Sequence, residues 1–227
     1  MAIAENYRDV KQRVEAACAR AGRDPKDVTL VSVSKTKPVS MLVEAYEAGS
    51  RDFGENKVQE ILEKCPQMPE DAKFHMIGHL QTNKVNKVID KVVLIHSVDT
   101  VHLAEKIEKE AAKKDMVIDV LLEVNVAREE SKFGFFMEEV VSALEEISAF
   151  PHVCVKGLMT SAPNVENAEE NRKYFKDLYQ LYVDIKSKNI DNGTMSVLSM
   201  GMTGDYEVAV EEGATMIRVG SGFFGSR

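Results

Sequence analysis

Apolar residues along this chain switch repeatedly between two spacings. In "VTLVSVSKTKPVS" (28–40) they alternate as in a strand, whereas "VSMLVEAYEAG" (39–49) repeats them at helical spacing and stops on a glycine. The same switch recurs to the end. "RDFGE", "KFHMIG", "VVLIHSV", "MVIDVLLEVNVA", "HVCVKGLMT", "MSVLSMG" and "TMIRVG" read as strands. "NKVQEILEKC", "TNKVNKVIDK", "TVHLAEKIEKEAAKK", "MEEVVSALEEISAF", a long segment at 166–188 and "DYEVAVEEG" read as the helices between them. An amphipathic helix precedes the series, in "ENYRDVKQRVEAACARAG".

About eight strand–helix alternations argue for parallel strands joined by right-handed crossovers, and a count near eight favours closure. The expected fold is α/β, a single (β/α)8 TIM-like barrel with an additional N-terminal helix. No linker or composition shift marks a boundary, so residues 1–227 read as one domain.

Composition narrows the function classes. Hydrophobic residues make up 44% of 227, enough for a substantial core, and the formal net charge is -8. An acidic chain lacks the basic excess that a phosphate-backbone-binding face requires, so no nucleic-acid partner is expected. The N-terminus has no signal-peptide pattern, and no apolar run reaches the length of a membrane span. Cys18, Cys65 and Cys154 are odd in number and widely spaced, which fits structural thiols in a reducing cytoplasm.

Barrel sites form at the C-terminal ends of the strands, so the residues there carry the chemistry. Val31, Val33 and Lys35 share one parity, which puts a lysine at the end of an inward-facing row. Either Lys35 lies in water just past the strand, or its amine serves as a nucleophile toward a carbonyl. Lys37, beside Pro38, reads as solvated. Arg218 shares a face with Met216 and Gly220. Its planar donor suits a phosphate, a carboxylate or a ring nitrogen, or else a salt bridge to Glu55 or Glu123.

"GSGFFG" (220–225) matches a dinucleotide-binding pattern, but only two residues follow it, with no helix and no later acidic residue. The nicotinamide reading is rejected. Gly220 and Gly222 still allow N–H groups to approach an anion. Ser199 and Ser221 add hydroxyls, and together they suggest a phosphate cup beside the start of the "DYEVAVEEG" helix. The ordinary alternative is loop glycines closing the barrel. A lysine and a phosphate cup suit pyridoxal 5′-phosphate, and equally a sugar-phosphate aldolase substrate. "HMIGH" lacks the helix and glutamate of a zinc site, so no metal is expected; His75 reads as core, and His79 as lining the mouth.

"VSKTKP", "FGENKVQE", "FHMIGHLQTNK", "ESKFG", "KGLMT" and "LSMGMTGDYEVAVEEGATMIRVGSGFFG" occur in this order over nearly the whole chain. In these motifs the chain resembles the pyridoxal phosphate homeostasis protein family, which is itself similar to the barrel domain of alanine racemase. The resemblance implies that Lys35 carries pyridoxal 5′-phosphate as an internal aldimine and that Ser199, Gly220 and Ser221 hold the phosphate. It implies Arg218 at the pyridine nitrogen and Asn56 beside the ring. The implied function is binding of the cofactor and a carrier or regulatory role in intracellular vitamin B6 homeostasis, with pyridoxal-phosphate-dependent apoenzymes as recipients and a monomeric state. An amino-acid racemase is the enzymatic alternative. It needs a second base such as His79, because the racemase's C-terminal domain has no counterpart here.

Overall fold

The computed structural model describes residues 3–188 and 195–225. Eight strands among them close a parallel barrel in chain order: β1 (Thr29–Val33), β2 (Asp52–Glu55), β3 (Lys73–Met76), β4 (Leu94–Val98), β5 (Ile118–Glu123), β6 (Val153–Met159), β7 (Val197–Met202) and β8 (Met216–Val219). Closure is made by β1 pairing with β8, Val31 opposite Arg218. The expected TIM-like architecture is therefore present.

The barrel interior holds an apolar plug of Val31, Leu94, Leu121, Met159 and Met216, one residue from each of five strands. The outer faces of the strands pack against α2 (Val39–Glu47), α3 (Val58–Lys64), α4 (Val85–Val88), α5 (Val101–Lys113), α6 (Val140–Ile147), α7 (Arg172–Ser187) and α8 (Tyr206–Glu211). Each longer helix buries one stripe; α5, for instance, buries Leu103, Ala104, Ile107 and Ala111 and starts on Thr100, whose hydroxyl accepts from Leu103 N.

Two expected helices are shorter than the spacing suggests. "TNKVNKVIDK" forms a 3-10 turn, Thr82–Lys84, and then only α4. Its Thr, Asn and Val residues are weak helix formers. Residues 166–171 precede α7 as loop and a 3-10 turn.

The N-terminal helix α1 (Ile3–Ala21) buries Val10, Val14, Ala17 and Cys18. Arg13 and Arg20 reach Glu207 and Glu211 on α8, and Asn6 donates to Phe223 O in the short α9 (Ser221–Phe224). By these links α1 braces the segment that follows β8. Among the described residues no helix is long and apolar enough to cross a membrane, and all three cysteines are free.

Candidate functional site

The C-terminal strand ends surround a cavity of about 590 Å³. Its wall includes Lys35, Asn56, Thr203, Arg218, Gly220 and Ser221. Five of the six residues singled out from the sequence thus meet on one surface. Ser199 does not. It is fully buried, and its hydroxyl lies behind the cavity wall, 2.6 Å from Arg218 Nη1 and 3.0 Å from His96 Nδ1.

Lys35 follows β1 and is half-buried, between Ser34, whose hydroxyl donates to Glu55 Oε1 at 2.6 Å, and Thr36, which has φ +65°. Lys37 departs from the expectation of a solvated side chain. Its ammonium donates to Phe224 O at 3.1 Å and Gly225 O at 3.3 Å and helps to wall the cavity. Asn56 packs tightly on the loop after β3. A Cβ on Gly78 would stand 2.6 Å from Asn56 O and 2.7 Å from its Cα, so only glycine allows the approach.

Where the sequence suggested a cup for an anion, Thr203, Gly220 and Gly222 come together. Gly220 N–H and Gly222 N–H both point at Thr203 Oγ1, at 3.2 and 3.4 Å. Two main-chain donors converging on one oxygen make the pattern that a phosphate oxygen accepts. Sequence reasoning named Gly220, Gly222 and Ser221 but passed over Thr203, although it lies in the quoted "MTGD" stretch.

Arg218 is the cation at the cavity floor. It donates to Ser199 Oγ and, through Nη2, to Thr160 O at 2.8 Å. Burial lowers its pKa to about 10, against the opposing pull of Glu123 and Asp205, so it remains charged at neutral pH. The anticipated ion pairs are not the contacts it makes. Glu55 faces outward and pairs with Lys64 at 2.8 Å. Glu123 acts on Arg218 through charge, and its own carboxyl is pushed up to about 7 by burial and then by Asp99.

Below Arg218 a chain of polar side chains crosses the barrel. Ser199 meets His96, His96 Nε2 meets His75 Nδ1 at 3.0 Å, and His75 Nε2 meets Asp52 Oδ1 at 3.0 Å. His75 is core, as read from the sequence, and so is His96, which the sequence did not single out. His79 stands at the mouth, stacked on Phe133 with ring centroids 3.8 Å apart, its Nδ1 2.9 Å from Asp99. Among the described residues no cluster of His, Cys, Asp or Glu is arranged to hold a metal ion.

Comparison with known proteins places this geometry in a family. The family model for the N-terminal domain of alanine racemase matches residues 1–227. A pyridoxal phosphate homeostasis protein of Aquifex aeolicus is 44% identical over 228 residues, covering 100% of this chain and 99% of that one. The chain belongs to the pyridoxal phosphate homeostasis protein family. A solved structure, PipY of Synechococcus elongatus with PLP bound, superposes with a TM-score of 0.81 at 33% identity, covering 94% of this chain and 100% of that one. Alanine racemase of Corynebacterium glutamicum shares the fold, with a TM-score of 0.76 at 15% identity, over 99% of this chain and 60% of the racemase.

Proposed function

We propose that residues 1–227 act as one pyridoxal-phosphate-binding barrel that holds the cofactor on Lys35 and serves intracellular vitamin B6 homeostasis as a carrier or regulator. The observation that carries this reading is the meeting of Lys35, Arg218, Thr203 and Gly220 on one cavity, with Gly222 N–H behind Thr203. The residues fit the group. The cup offers main-chain donors and hydroxyls for a phosphate, with Thr203 in the place first given to Ser199. Arg218 offers a permanent donor to a ring nitrogen, Asn56 an amide beside the ring, and Lys35 an amine within the same wall.

Each side chain then has a defined task. Lys35 would hold the cofactor through its amine, the group that condenses with an aldehyde with loss of water. Arg218 can only donate, so it would hold a ring nitrogen that accepts. Pyridoxal phosphate supplies an aldehyde and an electron-withdrawing ring, and its pull is weaker when that nitrogen is unprotonated. This favours holding the cofactor over turning over an amino acid. The position of His79 supports the same side, since it stacks on Phe133 at the mouth and is not part of the cavity wall. The PLP-bound relative and the homeostasis role named for the relatives support the cofactor and the cellular role. We further infer a monomer in the cytoplasm that passes its cofactor to apoenzymes. For the compartment, the three unbridged cysteines are in support.

The test is the visible spectrum of the purified protein before and after borohydride, with peptide mapping. A yellow band that collapses on reduction, with the pyridoxyl group on Lys35 and no band in Lys35→Ala, is the expected result. A colourless protein that takes up no added pyridoxal phosphate overturns the reading and favours a sugar-phosphate substrate for the same lysine and cup. Solvent-hydrogen exchange at the α-carbon of a bound amino acid would establish the racemase alternative instead.

A further inference from the structure

Behind the turn that presents Lys35, on the outer side of the barrel, three charged side chains converge. Lys64, on the inner face of α3, donates from Nζ to Ser34 O, Glu55 Oε1 and Glu60 Oε1, each at 2.8 Å. That exhausts the three donors of an ammonium. Ser34 Oγ donates to the same Glu55 oxygen, and Thr36 N–H donates to Glu60 Oε1 at 2.6 Å. The peptide groups on either side of Lys35 are therefore both gripped, Ser34 through its carbonyl and Thr36 through its N–H.

Two features show that this grip is more than packing. Lys64 takes a buried place beside Val58 and Ile61 on α3 that the amphipathic pattern would give to an apolar residue. A buried ion pair contributes little net stability compared with apolar residues of the same size. Thr36 is held at φ +65°, a left-handed conformation that a β-branched residue rarely adopts without restraint. Lys37 N–H closes the turn on Ser34 O at 3.0 Å, and Glu60 holds the Thr36 N–H from outside it.

We propose that Lys64 and Glu60, with Glu55 between them, are positioning residues that fix the direction in which Lys35 presents its amine. This deepens the reading of Lys35 as the cofactor anchor, since it assigns how that anchor is aimed. Two variants separate aim from stability. Glu55→Leu with Lys64→Met replaces the buried pair by apolar groups of similar size, a change that is commonly neutral or stabilising. Glu60→Ala frees the Thr36 N–H, whereas Glu60→Gln keeps an acceptor for it.

The readout is labelling of the cofactor-free protein by formaldehyde with cyanoborohydride, followed by peptide mapping, as the ratio of the Lys35 rate to that of an exposed lysine on α5, Lys109. The proposal expects this ratio to change by at least about tenfold in Glu60→Ala and in the double variant. It expects recovery in Glu60→Gln, and a melting temperature of the double variant no lower than wild type. An unchanged ratio in Glu60→Ala and in the double variant overturns it, whatever their melting temperatures. If the double variant fails to fold, the Ala and Gln pair at position 60 decides alone. Borohydride fixation of pyridoxal phosphate on wild type is scored separately. Its failure removes the cofactor reading, and the labelling ratio still decides the clamp.

Discussion

Arg218 and His96 share one hydroxyl. Ser199 Oγ accepts from Arg218 Nη1 at 2.6 Å and lies 3.0 Å from His96 Nδ1. From His96 the chain continues through Nε2, 3.0 Å from His75 Nδ1, and His75 Nε2, 3.0 Å from Asp52 Oδ1. A guanidinium at the cavity and a carboxylate at the opposite end of the barrel thus bracket the two imidazoles.

Removing the shared hydroxyl breaks this chain at its junction. Ser199→Ala leaves a buried guanidinium N–H and a buried imidazole nitrogen unpaired, at a cost of about 1–3 kcal/mol. Urea denaturation at neutral pH measures the loss. Affinity for pyridoxal falls as well if Arg218 loses its orientation.

Two groups in the barrel give stability opposing pH slopes. Burial, and then the charges of His75 and Arg218, hold His96 well below its ordinary 6.5. Below pH 6.5 the unfolded chain therefore binds a proton that the folded chain refuses, and stability is lost as pH falls. Glu123 is raised from 4.5 to about 7, so between those values the folded protein holds the extra proton and stability is lost as pH rises. Glu123→Gln removes only the second slope. Relative to wild type it is expected to gain up to about 3 kcal/mol between pH 4.5 and 7, read from denaturation curves across that range. A flat difference between the two proteins would refute the assignment.

Thr203 is expected to act on the phosphate and not on the ring. Thr203→Val removes the oxygen that Gly220 and Gly222 N–H groups now share, and with it a hydroxyl donor to a bound anion. One hydrogen bond to a charged group corresponds to about a ten- to hundredfold change in affinity. Titration with pyridoxal 5′-phosphate should show that loss, and titration with unphosphorylated pyridoxal should not.

Two glycines separate stability from function. A Cβ on Gly157 would lie 1.7 Å from Val197 O in the neighbouring strand, so Gly157→Ala must push β6 from β7 and cost about 3 kcal/mol or more. Gly78→Ala presses instead on the backbone of Asn56, a wall of the cavity. Its main effect is expected on cofactor affinity, measured beside its melting temperature.

By itself the sequence determined the barrel and most of the cavity wall. Alternating and helical spacings are local properties, and parity along β1 and β8 is enough to turn Lys35 and Arg218 to the same interior. Strand ends are equally local, which is why Asn56, Gly220 and Ser221 were legible. The assignments that only the tertiary structure decided all concern hydrogen bonds between strands distant in sequence. Ser199 and Thr203 lie in one stretch and both carry hydroxyls. Nothing local distinguishes the one that turns into the core from the one that meets the glycine N–H groups. His96 reads as an ordinary core residue in "VVLIHSV" until closure of the barrel brings β4 across from β7. Lys64 reads as the polar end of a helix until α3 docks behind β1 and buries it against Glu55. A buried polar group must find its partner wherever the fold supplies one, and that partner is set by three-dimensional closure and not by neighbours along the chain.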